Sequence, residues 1–101
     1  MEIQIEERES ERVLALRGEV NIYHAAQLRD ALLAELNAQS EIGLDLEHVS
    51  EMDTSAIQIV VALLRTAADQ GKLARVVKVG SAAANIIRFC NLQDELGLQL
   101  P

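Results

Sequence analysis

Aromatic side chains are almost missing from this chain. Tyr23 and Phe89 are the only two among 101 residues. No aromatic platform can therefore stack nucleic-acid bases, and the core has to be aliphatic. Cysteine is equally scarce: Cys90 stands alone, which excludes an intramolecular disulfide and a metal cluster built on thiolates. The five glycines are scattered singly, so no glycine-rich loop exists to cradle the phosphates of a nucleotide. Long apolar runs are absent too. The most apolar stretch, Ala56–Leu64, is far too short to span a bilayer, and no apolar segment follows a basic one near the start. The expectation is a cytoplasmic protein without direct membrane insertion.

Positive charge is also in short supply. Nine Lys and Arg stand against 16 Asp and Glu, for a net charge of −7. Phosphate binding needs clustered cations, so a nucleic-acid partner is not expected. The acids crowd the start as Glu2, Glu6, Glu7, Glu9 and Glu11, broken only by Arg8 and Arg12. That pattern reads as a solubilising edge strand and turn. What remains is ordinary for a globular protein: 50% hydrophobic and 25% charged residues, enough for one core and one domain over residues 1–101.

Periodicity supplies the elements. Ile3 and Ile5 alternate with charges over residues 2–6, giving an edge strand. Val13–Leu16 is a continuous apolar run, as in a strand covered on both faces, and Gly18 marks its end. The short connection makes these two an antiparallel hairpin. A helix is expected from about Tyr23 to Asn37, with Leu28, Leu32 and Leu36 inward and Asn21 able to cap it. Ile42, Leu44 and Leu46 alternate with Gly43, Asp45 and Glu47 as a third strand.

The stretch Val49–Gly71 organises the rest. It opens as a polar turn, places Asp53, Thr54 and Ser55 at a helix start, and runs on as a helix to about Gln70. Its expected inner stripe is Ile57, Val60, Val61, Leu64 and Ala68, widened by Ile59 and Leu63. A face this wide is either deeply buried or partly reserved for a partner. Leu73–Val79 reads as a fourth strand, and Ser81 as the N-cap of a helix to about Cys90 with Asn91 as its left-handed C-cap. A last short helical turn near Asp94–Leu96 should close at Gly97. The expected fold is an α/β sandwich of order ββαβαβα plus a short C-terminal helix, around a mixed four-stranded sheet.

Catalytic constellations are mostly absent. His24 and His48 lie on different elements with no cysteine or carboxylate at metal spacing, so they read as surface or cap residues and neither metal nor cofactor is expected. Cys90 falls on an apolar helical face and reads as a small core residue. The Asp53-Thr54-Ser55 turn is different. The N–H groups of a first helical turn are unpaired and the helix dipole is positive there. Asp53 or Thr54 can cap them, and the same geometry exposes a hydroxyl whose phosphate would sit on those N–H groups.

In order and spacing these segments resemble a STAS domain, the fold of anti-sigma factor antagonists and of the cytoplasmic tails of sulphate transporters. The motifs are Leu16-Arg17-Gly18-Glu19-Val20-Asn21 after the first two strands, Leu44-Asp45-Leu46 followed by Asp53-Thr54-Ser55-Ala56-Ile57, and Asn91-Leu92 after the last helix. Asn21 stands where the family has Asp, and Ala56 where it has Gly. The resemblance implies a non-enzymatic regulatory domain that binds a protein partner through Asn21, Asp53, Thr54, Ser55, Ala56 and Gln58. In anti-sigma factor antagonists the hydroxyl residue after the Asp is phosphorylated by a serine/threonine kinase that is also the anti-sigma factor. That position is Thr54, with Ser55 as alternate. Threonine there also resembles chemotaxis-associated STAS proteins and the STAS subunit of bacterial lipid-transport ATPases. A more distant alternative, a two-component phosphoacceptor domain, would use Asp53 as its receiver aspartate.

Overall fold

The computed structural model describes residues 1–100. Strands β1 (Glu2–Arg8) and β2 (Glu11–Val20) form the expected antiparallel hairpin. A single 3₁₀ turn, Ile22–His24, leads into helix α1 (Ala25–Ala38). Then come β3 (Glu41–Met52), α2 (Thr54–Asp69), β4 (Leu73–Val79) and α3 (Ser81–Phe89). The sheet is mixed and its spatial order is the chain order, β1-β2-β3-β4, with β2, β3 and β4 parallel.

Helices α1 and α2 pack together over the sheet face that carries Leu14, Leu16, Ile42 and Leu44, and Leu28, Leu32 and Leu36 of α1 point into that core. The opposite face is not roofed by these helices. Val13 and Ala15 are nonetheless buried there, outside the main core cluster. Charged side chains of neighbouring strands cover that face. Arg8 of β1 reaches across β2 and donates to Asp45 of β3 at 2.8 Å. Glu11 of β2 reaches across β3 and accepts two bonds from Arg75 of β4, at 2.9 and 3.0 Å. Gly43 makes room for that second crossing, since a Cβ there would lie 3.3 Å from the Glu11 carboxyl carbon and 2.9 Å from Val77. The double covering expected of β2 is thus helical on one side and ionic on the other.

Several boundaries differ from the sequence reading. Gly18 does not end β2. It adopts φ +83° at a register shift, and the strand continues to Val20. Val49–Met52 is strand rather than turn, because Val49 and Met52 face the core while His48, Ser50 and Glu51 face out. The inner face of α2 is rotated from the expected stripe: Leu63 and Ala67 are buried, Leu64 is half-buried and Ala68 is exposed. The cap of α3 is Gly80, not Ser81; a Cβ at Gly80 would sit 2.2 Å from the Glu47 carbonyl, so α3 starts pressed against β3. Asn91 does close α3, at φ 56°, with its own N–H and that of Leu92 donating back to Arg88 and Ile87. The C-terminal segment is a turn and not a helix. One bond from Leu96 to Leu92 is closed at once by the pair from Gly97 and Leu98, too short a piece to propagate.

Among the described residues Asp45 is the one charged residue that is buried, 3% exposed. Burial alone would raise its pKa, but the Glu47 N–H and the Arg8 guanidinium outweigh that and hold the carboxyl below its ordinary value. Its contribution to stability is therefore present above the unfolded carboxyl value of about 3.9 and is lost as pH falls through the lower folded value. Thermal unfolding of wild type and Asp45→Asn should differ by a constant margin at neutral pH, a margin that closes below about pH 4. The hairpin offers a second test. Glu9 and Ser10 both adopt positive φ, 51° and 71°, in a two-residue loop where Asn-Gly is preferred. Replacing them with Asn and Gly should raise stability by about 1 kcal/mol in urea unfolding.

Candidate functional site

Parallel pairing of β2 with β3 brings two chain turns together. Val20 and Met52 are register partners at the ends of their strands, so Asn21 and Asp53 emerge side by side. The backbone N–H of Asp53 donates to the Val20 carbonyl at 3.4 Å. Its carboxylate then ties both turns together. Oδ1 accepts the Ala56 N–H at 3.0 Å, capping α2, and Oδ2 accepts the Ile22 N–H at 3.0 Å, holding the neighbouring turn. Both oxygens are engaged by backbone donors, so Asp53 is a structural link, and the receiver-aspartate alternative has no support in this geometry or in the antiparallel first hairpin.

The neighbouring turn is closed on itself. Asn21 Oδ1 accepts the Tyr23 N–H at 3.0 Å, its carbonyl accepts the His24 N–H at 2.9 Å, and its N–H donates to His24 Nδ1 at 3.4 Å. Asn21 therefore caps the 3₁₀ turn that precedes α1 and not α1 itself. The residues between are pushed outward, leaving Ile22 62% and Tyr23 91% exposed. The sequence reading passes over this pair. The available signal is two large apolar residues directly after the Gly18–Asn21 motif, ahead of the first inward leucine, Leu28.

Thr54 is exposed as the first residue of α2, Ser55 is half-buried beside it, and Gln58 is exposed one turn on. Ala56 is a correction: its side chain is fully buried in the core, so it shapes the turn from beneath and cannot be a surface contact. Beyond Gln58 the outer ridge of α2 continues through Ala62 and Arg65, with a groove on each side. The groove toward α1, about 190 Å³, is lined by Leu32, Leu33, Ile59 and Leu63 and rimmed by Arg29. The groove toward the C-terminal turn is lined by Ile57, Val61, Cys90 and Leu92, and Arg65 pairs with Glu95 at its edge. Most of the wide apolar face is thus core; Ile59 and Leu64 are half-buried, and Ala62 and Ala68 are exposed. His48 is exposed and pairs with Glu47 at 3.3 Å. Among the described residues no group of three His, Cys, Asp or Glu is placed to hold a metal. Among the described residues no helix is long and apolar enough to cross a membrane.

A four-stranded mixed sheet with α1 and α2 over one face, and a capped α2 presenting a hydroxyl beside the β2–α1 turn, is the arrangement of a STAS domain. The family model described as "Mlab, STAS domain" matches residues 3–100, and the chain belongs to the STAS domain family. Among solved structures, an anti-sigma factor antagonist from Mycobacterium paratuberculosis superposes with a TM-score of 0.83 at 20% identity, over 99% of this chain and 86% of that one. The anti-sigma factor antagonist SpoIIAA in its unphosphorylated form gives 0.75 at 21% identity, over 92% and 84%. A chain of the Acinetobacter MlaFEDB complex in an ATP-bound conformation gives 0.72 at 27% identity, over 86% of this chain and 93% of that one.

Asp53→Ala removes the cap of α2 and the tie to Ile22 together. It should lower stability by about 1–2 kcal/mol in denaturant unfolding, and Asp53→Asn, which keeps an acceptor, by less.

Proposed function

We propose that this chain is a non-catalytic regulatory subunit, in the cytoplasm, that docks onto a protein partner through Thr54 and the surface around it. The observation that carries this reading is the contrast at the site. Thr54 and its exposed neighbours Ile22 and Tyr23 have no role in the core, while the groups behind them are tied down by Asp53 and Asn21. A preorganised surface loses little conformational freedom on binding, and exposed apolar residues next to polar ones are what an interface needs.

The partner we favour is the ATPase of a transport complex. Support comes from the family model, whose description names MlaB, and from the 27% identity to a chain of MlaFEDB. The grooves beside Ile59 and Ala62 suit a standing interface along α2. A second reading is partner switching by a kinase that is also an anti-sigma factor, and one feature favours it. Thr54 displays its hydroxyl at a helix N-terminus, where a phosphate would meet the free N–H groups and reverse the local charge.

Affinity purification of the endogenous protein, with intact-mass analysis and paired Thr54→Ala and Thr54→Arg baits, separates the two. The expected result is a transport ATPase at constant stoichiometry, held by wild type and Thr54→Ala, weakened at least about tenfold by Thr54→Arg, with no phosphate on Thr54. Recovery of a kinase together with phosphate on Thr54 would replace this reading with the switching one. Retention of every partner by Thr54→Arg would remove Thr54 from the interface altogether.

A further inference from the structure

We infer that the free edge of β1 is a pairing surface for a second copy of this chain. The two β1 strands join antiparallel about a two-fold axis at Ile5, and the sheet runs on from one copy into the other.

Strand β1 lies at one border of the sheet and pairs only with β2. Among the described residues no other segment bonds to its backbone. The loop Glu9–Ser10 fixes which of its groups are free. Residues flanking a two-residue loop exchange hydrogen bonds, and bonded and non-bonded pairs alternate from there along the ladder. Arg8 faces Glu11 at the loop, so Arg8, Glu6 and Gln4 turn their N–H and C=O groups toward β2. Ile3, Ile5 and Glu7 turn theirs outward, to open solvent.

The two borders of the sheet are not alike. Sheet edges are ordinarily guarded by bulges, lysines, prolines or short length. The opposite border, β4, has a register shift between Val76 and Lys78, and that lysine is exposed. Strand β1 is seven residues long, holds neither Pro nor Lys, and meets β2 without a shift. Two of its acids are answered within the chain, Glu6 by Arg8 and Glu7 by Arg12. Its middle is apolar and uncovered. Ile5 lies opposite Leu14 on the helix side of the sheet, yet it is 49% exposed while Leu14 is fully buried.

The strand complements itself at one register. With the axis at Ile5 its whole length is paired, and the outward residues exchange about six hydrogen bonds. Ile5 then covers Ile5 of the second copy. Gln4 stands against Glu6 of the second copy, in a pair whose side chains are close. Gln4 Oε1 accepts from Arg17 of its own chain, so its amide N–H groups are left to donate, and Glu6 has Oε1 left to accept. The strand ends set Glu2 opposite Arg8, of the other sign. Moving the axis to Gln4 sets Glu2 against Glu6, and moving it to Glu6 sets that carboxylate against itself. Both shorten the overlap and oppose like charges. A two-fold seam closes on itself and stops at the dimer. Thr54, at the end of β3, is two strands removed from it.

Sedimentation velocity of the full chain between about 10 μM and about 1 mM tests this, because a one-strand seam is smaller than a standard interface and should dissociate in the micromolar range. A monomer–dimer equilibrium is expected. Ile5→Lys, which puts two cations at the axis, should raise the dissociation constant at least about tenfold, and Leu73→Lys on the β4 border should leave it unchanged. Gln4→Glu should weaken the dimer by opposing Glu6, and adding Glu6→Gln should restore it. In NMR amide exchange, Ile3, Ile5 and Glu7 should slow at least about fivefold at the higher concentration, with Gln4 and Glu6 unaffected. A monomer at about 1 mM overturns the proposal. So does a dimer that survives Ile5→Lys, one that is lost with Leu73→Lys, or growth beyond the dimer.

Discussion

One carboxylate joins the two halves of the site. Asp53 accepts a bond from the helix it starts and another from a turn 31 residues earlier in the chain. Each turn has bonds of its own, Asn21 closing the first and Asp53 Oδ1 capping α2 in the second, and the bond from Ile22 to Asp53 Oδ2 joins them. Sharing the acceptor makes them a single surface. It also explains why Ala56 has to be small and buried, since its N–H must point back at Asp53 while its Cβ sits in the core.

That link is available only because β2 and β3 are parallel neighbours whose ends lie in register at Val20 and Met52. Here the sheet face opposite α1 and α2 contributes rigidity. Arg8–Asp45 and Glu11–Arg75 each cross an intervening strand, so all four strands are laced from that side. The helices and the ion pairs hold the strand ends from opposite faces, and the two turns inherit that constraint.

The fold was largely readable from the chain because its signals are local. Leu28, Leu32 and Leu36 keep helical spacing, the strands alternate, and Asn91 and Gly97 stand where the backbone turns left-handed. The start of α2 was readable too: Asp53 as cap and Thr54 as an exposed hydroxyl follow from helix-end chemistry. What could not be read depends on contacts distant in sequence. Asp45 looked like a solvent-facing residue of an alternating strand, and only the reach of Arg8 from two strands away accounts for its burial. Val49–Met52 looked like a turn because Ser50 and Glu51 are polar, yet pairing with Gly18–Val20 extends the strand. The exposure of Ile22 and Tyr23 follows from the bond between Ile22 and Asp53, which no local pattern announces.

The identity of chain order and sheet order has a bearing on how the molecule forms. The hairpin β1–β2 closes across a two-residue loop, an event on the scale of microseconds. Each later strand then adds beside the one made just before it, carrying its own helix, and never has to insert between strands already paired. A chain emerging from the ribosome at roughly 5–20 residues per second can therefore build this sheet outward in one direction. The incomplete edge at every stage is the strand most recently made, and the segment that will cover it is the next to arrive.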